Sequence, residues 1–174
     1  MYPVSLYLAV PFLCMEVLLR SQSVPPTQAK TLKGSAVSFP IAGSSKPLLL
    51  LVGFSHESSK QCDQCNKRFK PAYLSEPRID YYEIADFQGV PSVVMWMILH
   101  GMRREIPKDE QSRFVLLYSD GDKWKKLVGY TAPEDAYVIV ADPSRNVLWQ
   151  AHGEPTDAKQ TELQAALGKQ LSKA

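Results

Sequence analysis

One apolar run, Leu48-Leu49-Leu50-Leu51-Val52-Gly53-Phe54, constrains this chain more than any other stretch. A run so short and so uniformly apolar, entered through the turn Ser44-Ser45-Lys46-Pro47, predicts a strand buried on both faces, as in a parallel sheet. After a short loop comes Cys62-Asp63-Gln64-Cys65, and residues 65–70 predict a helix. This order places two thiols beside the start of a helix. Such an end carries unpaired N–H groups and the positive end of the helix dipole, and both favour a thiolate.

The rest of the chain alternates in the same way. Residues 36–39 predict a short strand ending at Pro40, and residues 79–84 a second interior strand, where Tyr and Ile favour extended backbone. Pro91 suits the start of a helix that is apolar on most sides, through Val93, Val94, Trp96, Met97 and Ile98, and that ends near Gly101. Residues 114–118 predict a third interior strand, and Asp120-Gly121-Asp122 turns it into a short helix through Trp124 and Leu127. Residues 136–142, the turn Pro143-Ser144-Arg145-Asn146 and residues 147–151 predict a hairpin. Thr156 caps a last helix carrying Leu163, Ala166, Leu167 and Leu171 at helical spacing. The expected fold class is α/β: a mixed, mainly parallel sheet with helices on both faces, closed by a hairpin and a helix.

A chain of 174 residues suits one domain plus an appendage, and 45% hydrophobic residues can supply its core. The net charge of +2 implies no nucleic-acid footprint. Residues 1–15 carry no charge. Glu16 and Arg20 follow, then a polar, proline-bearing stretch over residues 21–28. The expected division is a leader with linker over 1–29 and a folded domain over 30–174. The leader fits a secretory signal or membrane anchor, which implies an extracytoplasmic protein, periplasmic, secreted or membrane-attached through its N-terminus. Pro3 and Pro11 interrupt it, no Lys or Arg precedes it, and no small-x-small cleavage site is evident. A further buried segment of the fold is therefore the alternative.

The strand–helix order and the placed cysteine pair resemble the thioredoxin superfamily over roughly residues 30–173. The closing segment, with residues 137–142, Val147-Leu148-Trp149, Gly153 and the helix after Thr156, is similar to the TlpA-like and peroxiredoxin-like branches. Gly129-Tyr130 through Trp149, with Arg103-Arg104 upstream, more loosely resembles the thioredoxin-fold assembly factor of the mitochondrial ATP synthase. The resemblance implies a three-layer sandwich and thiol–disulfide exchange on protein thiols or disulfides, without a cofactor. Two departures stand out. Ser55 to Gln61 form a long loop before Cys62 with no Trp in it, and Ala136 stands where that family has a cis-proline against which substrate backbone lies.

If the pair is redox-active, Cys62 is the attacking thiol and Cys65 resolves the mixed disulfide. The competing reading makes Cys65 a small buried hydrophobe and Cys62 incidental. A weaker alternative takes Cys62, Cys65 and His56 as ligands of Cu(I). Trp96, Trp124 and Trp149 read as core or edge packing, Arg103, Arg104, Lys123, Lys125 and Lys126 as solvated helix faces, and Asp142 as the cap of its turn. Two functions follow as expectations. One is an extracytoplasmic thiol–disulfide oxidoreductase using Cys62 and Cys65. The other is a non-catalytic assembly factor or binding module that recognises a protein client.

Overall fold

A computed structural model describes residues 22–172. The elements are β1 (Thr27–Thr31), β2 (Ala36–Phe39), β3 (Leu48–Gly53), α1 (Ser59–Tyr73), β4 (Asp80–Asp86), α2 (Ser92–Glu105), β5 (Phe114–Leu117), α3 (Gly121–Val128), β6 (Ala136–Ala141), β7 (Val147–His152) and α4 (Asp157–Leu171). The seven strands form one sheet in the order β2-β1-β5-β4-β3-β6-β7. β3, β4 and β5 run parallel, while β6 and β7 add the antiparallel hairpin and β1 pairs antiparallel with β2 and β5. The expected α/β class and layered architecture are found.

Alternation along each strand divides the core. Leu48, Leu50 and Val52 of β3 meet Trp124 and Leu127 of α3 on one face. Leu49 and Leu51 meet Phe69 of α1 and Leu163 and Leu167 of α4 on the other. Every residue of β6 is buried, as a central strand covered on both faces requires. The end caps match the sequence. Thr156 Oγ1 accepts from the amide of Lys159 at 3.3 Å, and Asp142 Oδ1 accepts from that of Asn146 at 2.8 Å.

Three elements differ from expectation. β1 begins at Thr27, inside the stretch read as linker, because its inward residues are Thr27, Ala29 and Thr31 rather than large hydrophobes. α2 runs through Gly101 to Glu105. α1 begins at Ser59, six residues before its expected start, so three residues assigned to the loop before Cys62 are helical. The leader and Cys14 lie outside the described residues. No described helix is long and apolar enough to cross a membrane.

Candidate functional site

The carboxyl end of β3, the start of α1 and the start of β6 converge at one end of the central strands, where Gly53 is paired with Ala136. The connection from Phe54 is short. Ser55 Oγ donates to Pro133 O at 2.5 Å, and Ser58 Oγ donates to Ser55 O at 2.8 Å. Ser58 is 1% exposed and occupies the N-cap of α1, with Ser59 exposed as the first helical residue. Cys62 is therefore the fourth residue of the helix, and its amide already donates to Ser58 O at 2.9 Å. The amides of the turn before it are partly taken as well: Ser59 N–H donates to His56 O and Ser58 N–H to Ser55 Oγ, both at 3.2 Å.

Gly53 explains where the Cys62 sulfur goes. A β-carbon on Gly53 would stand 2.8 Å from Ser58 Oγ and 3.0 Å from Cys62 Sγ. The missing side chain is the space into which this thiol turns, beneath the end of β3. Burial, reinforced by the neighbouring Cys65 and by Glu83 and Asp63, pushes the Cys62 thiol up to about 12 against the opposing pull of a hydrogen bond with Ser58. Cys65 is 1% exposed among Leu49, Phe69 and Val138, and burial raises it to about 11, with Lys159 opposing. Both thiols are free, and Cys62 is half-buried.

The floor beside the thiols is polar but closed. Tyr81 Oη donates to Asn66 Oδ1 at 2.5 Å, and Asn66 Nδ2 donates to Glu83 Oε2 at 2.7 Å. Lys70 pairs with Glu83 at 3.2 Å and with Glu110. Each carboxylate thus has a partner, which is how ionised groups survive partial burial. Burial holds the Tyr81 hydroxyl well above the usual phenol range.

Ala136 has a backbone N–H where the resemblance implies a proline, and that N–H donates to Gln61 Oε1 at 3.0 Å. The Gln61 side chain thus ties the first turn of α1 to the start of β6 beside Cys62. Gly53, Ser58, Ser59 and Gln61 are the site residues that sequence reasoning missed. A signal existed: Ser58-Ser59-Lys60-Gln61 has the Ser-x-x-Gln spacing that marks a helix start, though neither side chain makes the capping bond, since Ser58 Oγ donates to Ser55 O and Gln61 Oε1 accepts from the Ala136 amide. Among the described residues, no His, Cys, Asp and Glu side chains form a group of three able to hold a metal ion, so His56 is not brought to the cysteines. His152 pairs with Asp135 at 2.6 Å instead.

No protein-family model and no curated protein matches this chain. Solved structures do. The thioredoxin domain of a thiol-disulfide oxidoreductase from Bacteroides vulgatus superposes with a TM-score of 0.57 at 15% identity, over 84% of this chain and 96% of that one. The fold is that of thioredoxin. BsSco, a member of the Sco family of cytochrome c oxidase assembly proteins, has this fold too, with a TM-score of 0.57 at 11% identity over 86% of this chain and 95% of its own. So does the exposed lipoprotein thioredoxin Etrx1 of Streptococcus pneumoniae, with a TM-score of 0.56 at 10% identity over 82% and 98%.

The two raised thiols give this thioredoxin-fold chain a pH signature. Folded protein keeps both protons up to about 11 and about 12, whereas an ordinary thiol releases its proton near 9.0. Above pH 9 the folded state binds more protons than the unfolded one. Stability from this source is therefore intact below pH 9 and is lost as pH rises towards 12. A chemical-denaturation series should show wild type losing about 2 kcal/mol more than Cys62→Ala/Cys65→Ala by about pH 10.5, after allowance for screening at the half-buried Cys62. Parallel curves would show that the thiols are not buried as described.

Proposed function

We propose that this chain is a thioredoxin-fold binding or assembly module that engages a protein client without exchanging disulfides through Cys62 and Cys65. The observation that supports this is the depth of Cys62, one turn past the start of α1, with its amide bonded and its thiol pushed up to about 12. At neutral pH a shift from 9.0 to about 12 makes the thiolate roughly a thousandfold scarcer. The remaining thiolate is intrinsically more nucleophilic, by roughly 20-fold for a Brønsted slope of about 0.4–0.5. Exchange is then slower than at an ordinary thiol by roughly 50-fold.

Insulin reduction by the fully reduced chain tests this reading. The expected result is no turnover above the dithiol background, and no difference between wild type and Cys62→Ala. Wild-type turnover that Cys62→Ala abolishes would overturn it.

A second reading, a thiol–disulfide oxidoreductase acting through Cys62 and Cys65, is favoured by one observation. The two cysteines are three residues apart on one helix, at the carboxyl end of β3, in a fold shared with thiol-disulfide oxidoreductases. It requires the first turn of α1 to open during exchange. Gel-shift alkylation would then trap a reversible Cys62–Cys65 disulfide. For either reading an extracytoplasmic site is proposed, supported by the uncharged leader and by a structural neighbour that is an exposed lipoprotein. Labelling of the mature amino terminus tests it.

A further inference from the structure

α2 is packed on one side only. Met95, Leu99 and Met102 face Leu32, Phe87 and Leu116. On the other sides Val93 is 74% exposed, Trp96 69%, Met97 64%, Val94 47% and Ile98 39%. No polar side chain interrupts the helix between Ser92 and His100, and the Trp96 ring stacks on His100 at 5.7 Å. Singly scattered exposed hydrophobes are ordinary, but five on two turns of one helix form a contiguous patch of the kind that marks an interaction site.

The charges around the patch indicate what covers it. Arg103 and Arg104 close the helix. Arg103 Nε donates to Leu32 O at 3.3 Å, which brings the β1–β2 turn and Lys33 alongside, and Lys108 follows two residues after Ile106. Lys33, Arg103, Arg104 and Lys108 are all exposed, and none joins an ion pair among the described residues. Glu105 and Asp109 are the exposed carboxylates of the same segment, while Glu110 is occupied by Lys70. An uncharged knob ending in a cationic collar complements a surface that is apolar within and negative at its rim. A helix of 14 residues is about 21 Å long, enough to lie in an interface and too short to span one.

We propose that α2 docks this domain on an anionic lipid bilayer. Val93, Val94, Trp96, Met97 and Ile98 enter the headgroup–acyl boundary, and Lys33, Arg103, Arg104 and Lys108 lie against the headgroups. Trp96 is suited to this depth, because an indole has an apolar body and a polar N–H. The proposal is independent of whether Cys62 exchanges disulfides.

The full chain is tested against vesicles of phosphatidylcholine alone and of phosphatidylcholine with phosphatidylserine. Binding to the anionic vesicles should be at least about tenfold tighter and weaken with salt. Tryptophan emission should shift to the blue on binding, and brominated lipid should quench it in the wild-type protein. Trp96→Gln should remove the blue shift. Val93→Gln/Met97→Gln should lower partitioning about tenfold or more, and Arg103→Gln/Arg104→Gln should bring anionic binding down towards the phosphatidylcholine level. Because these side chains are exposed, thermal melts should confirm that the variants fold. Three results would each overturn the proposal. One is a Val93→Gln/Met97→Gln variant that partitions like wild type, which would assign binding to the leader. Another is wild type that binds neither vesicle, including the case where it forms a dimer that Met97→Gln dissociates. The third is equal affinity for both vesicles.

Discussion

Replacing Ser59 with cysteine is expected to convert this chain into a disulfide-exchanging protein. Ser59 is exposed and is the first residue of α1, so a thiol there sits at the positive end of the helix dipole, which Cys62 lies too deep to use, although the Ser58 and Ser59 amides are already held by Ser55 Oγ and His56 O at 3.2 Å. The first turn contains no acidic residue, and Lys60 follows directly. The introduced thiol should therefore titrate at or below the ordinary value near 8.5, against about 12 for Cys62. That difference gives it roughly a thousandfold more thiolate at neutral pH. Its partner lies one turn on: residues three apart on a helix are within the Cα separation that a disulfide needs, and closing the bond requires Cys62 Sγ to leave the space beside Gly53. In the expected cycle the introduced sulfur attacks a substrate disulfide and forms a mixed disulfide as one substrate thiolate leaves. Cys62 then attacks the introduced sulfur, its proton passing to the departing second substrate thiolate, and closes an internal disulfide; the attack is intramolecular, which offsets the scarcity of its thiolate. Insulin reduction should rise at least about tenfold above wild type, and Ser59→Cys/Cys62→Ala should stop at the mixed disulfide. If Ser59→Cys forms no internal disulfide, the displacement of Cys62 by one turn is not what silences the site. Wild type that already matches Ser59→Cys would mean that α1 opens readily enough for Cys62 itself to react.

How much of the fold was visible in the sequence follows from what each element buries. β3, β5 and β6 bury large aliphatic residues on both faces, and a run such as Leu48 to Val52 suits little in a globular domain besides an interior strand. β1 hid because it buries Thr27, Ala29 and Thr31, residues that also populate linkers, and its strand character comes from pairing with β2 and β5. The cysteine pair was conspicuous, and that favoured a reading in which the helix opens at Cys65. The start at Ser59 is instead held by Ser55 and Ser58, whose hydroxyls bond backbone carbonyls at 2.5 and 2.8 Å. The first of these bonds depends on Pro133, far along the chain, and no local pattern announces it. Gly53 was equally silent: its importance lies in the thiol that fills its missing side chain. A two-residue spacing between cysteines therefore located the site but could not say which turn of the helix each sulfur occupies.

The three tryptophans make the same point about environment through stability. Trp124→Ala should be the most damaging of the three truncations. Its side chain is fully buried between α3 and the sheet, its Nε1 donates to Thr27 Oγ1 at 3.0 Å, and its ring meets Phe39 edge to face at 5.6 Å. Removing a buried indole costs about 3–5 kcal/mol through lost transfer energy and the cavity left behind. Against a total stability of about 5–15 kcal/mol, this should lower Tm by roughly 10 °C or more. Trp124→Phe keeps the aromatic contact but loses the hydrogen bond and part of the volume, so about 1–3 kcal/mol is expected. Trp149 is half-buried on the hairpin, and its Nε1 bonds an exposed carboxylate, Glu162, at 3.0 Å. Trp149→Ala should cost about 1–2 kcal/mol. Trp96 points away from the core, so Trp96→Ala should fall within about 0.5 kcal/mol of wild type in the absence of lipid. Thermal or urea unfolding of the variants ranks them directly. A Trp96 variant as destabilised as the Trp124 variant would mean that the outer face of α2 is covered within the protein itself, and both the orientation of that helix and its proposed lipid contact would fall together.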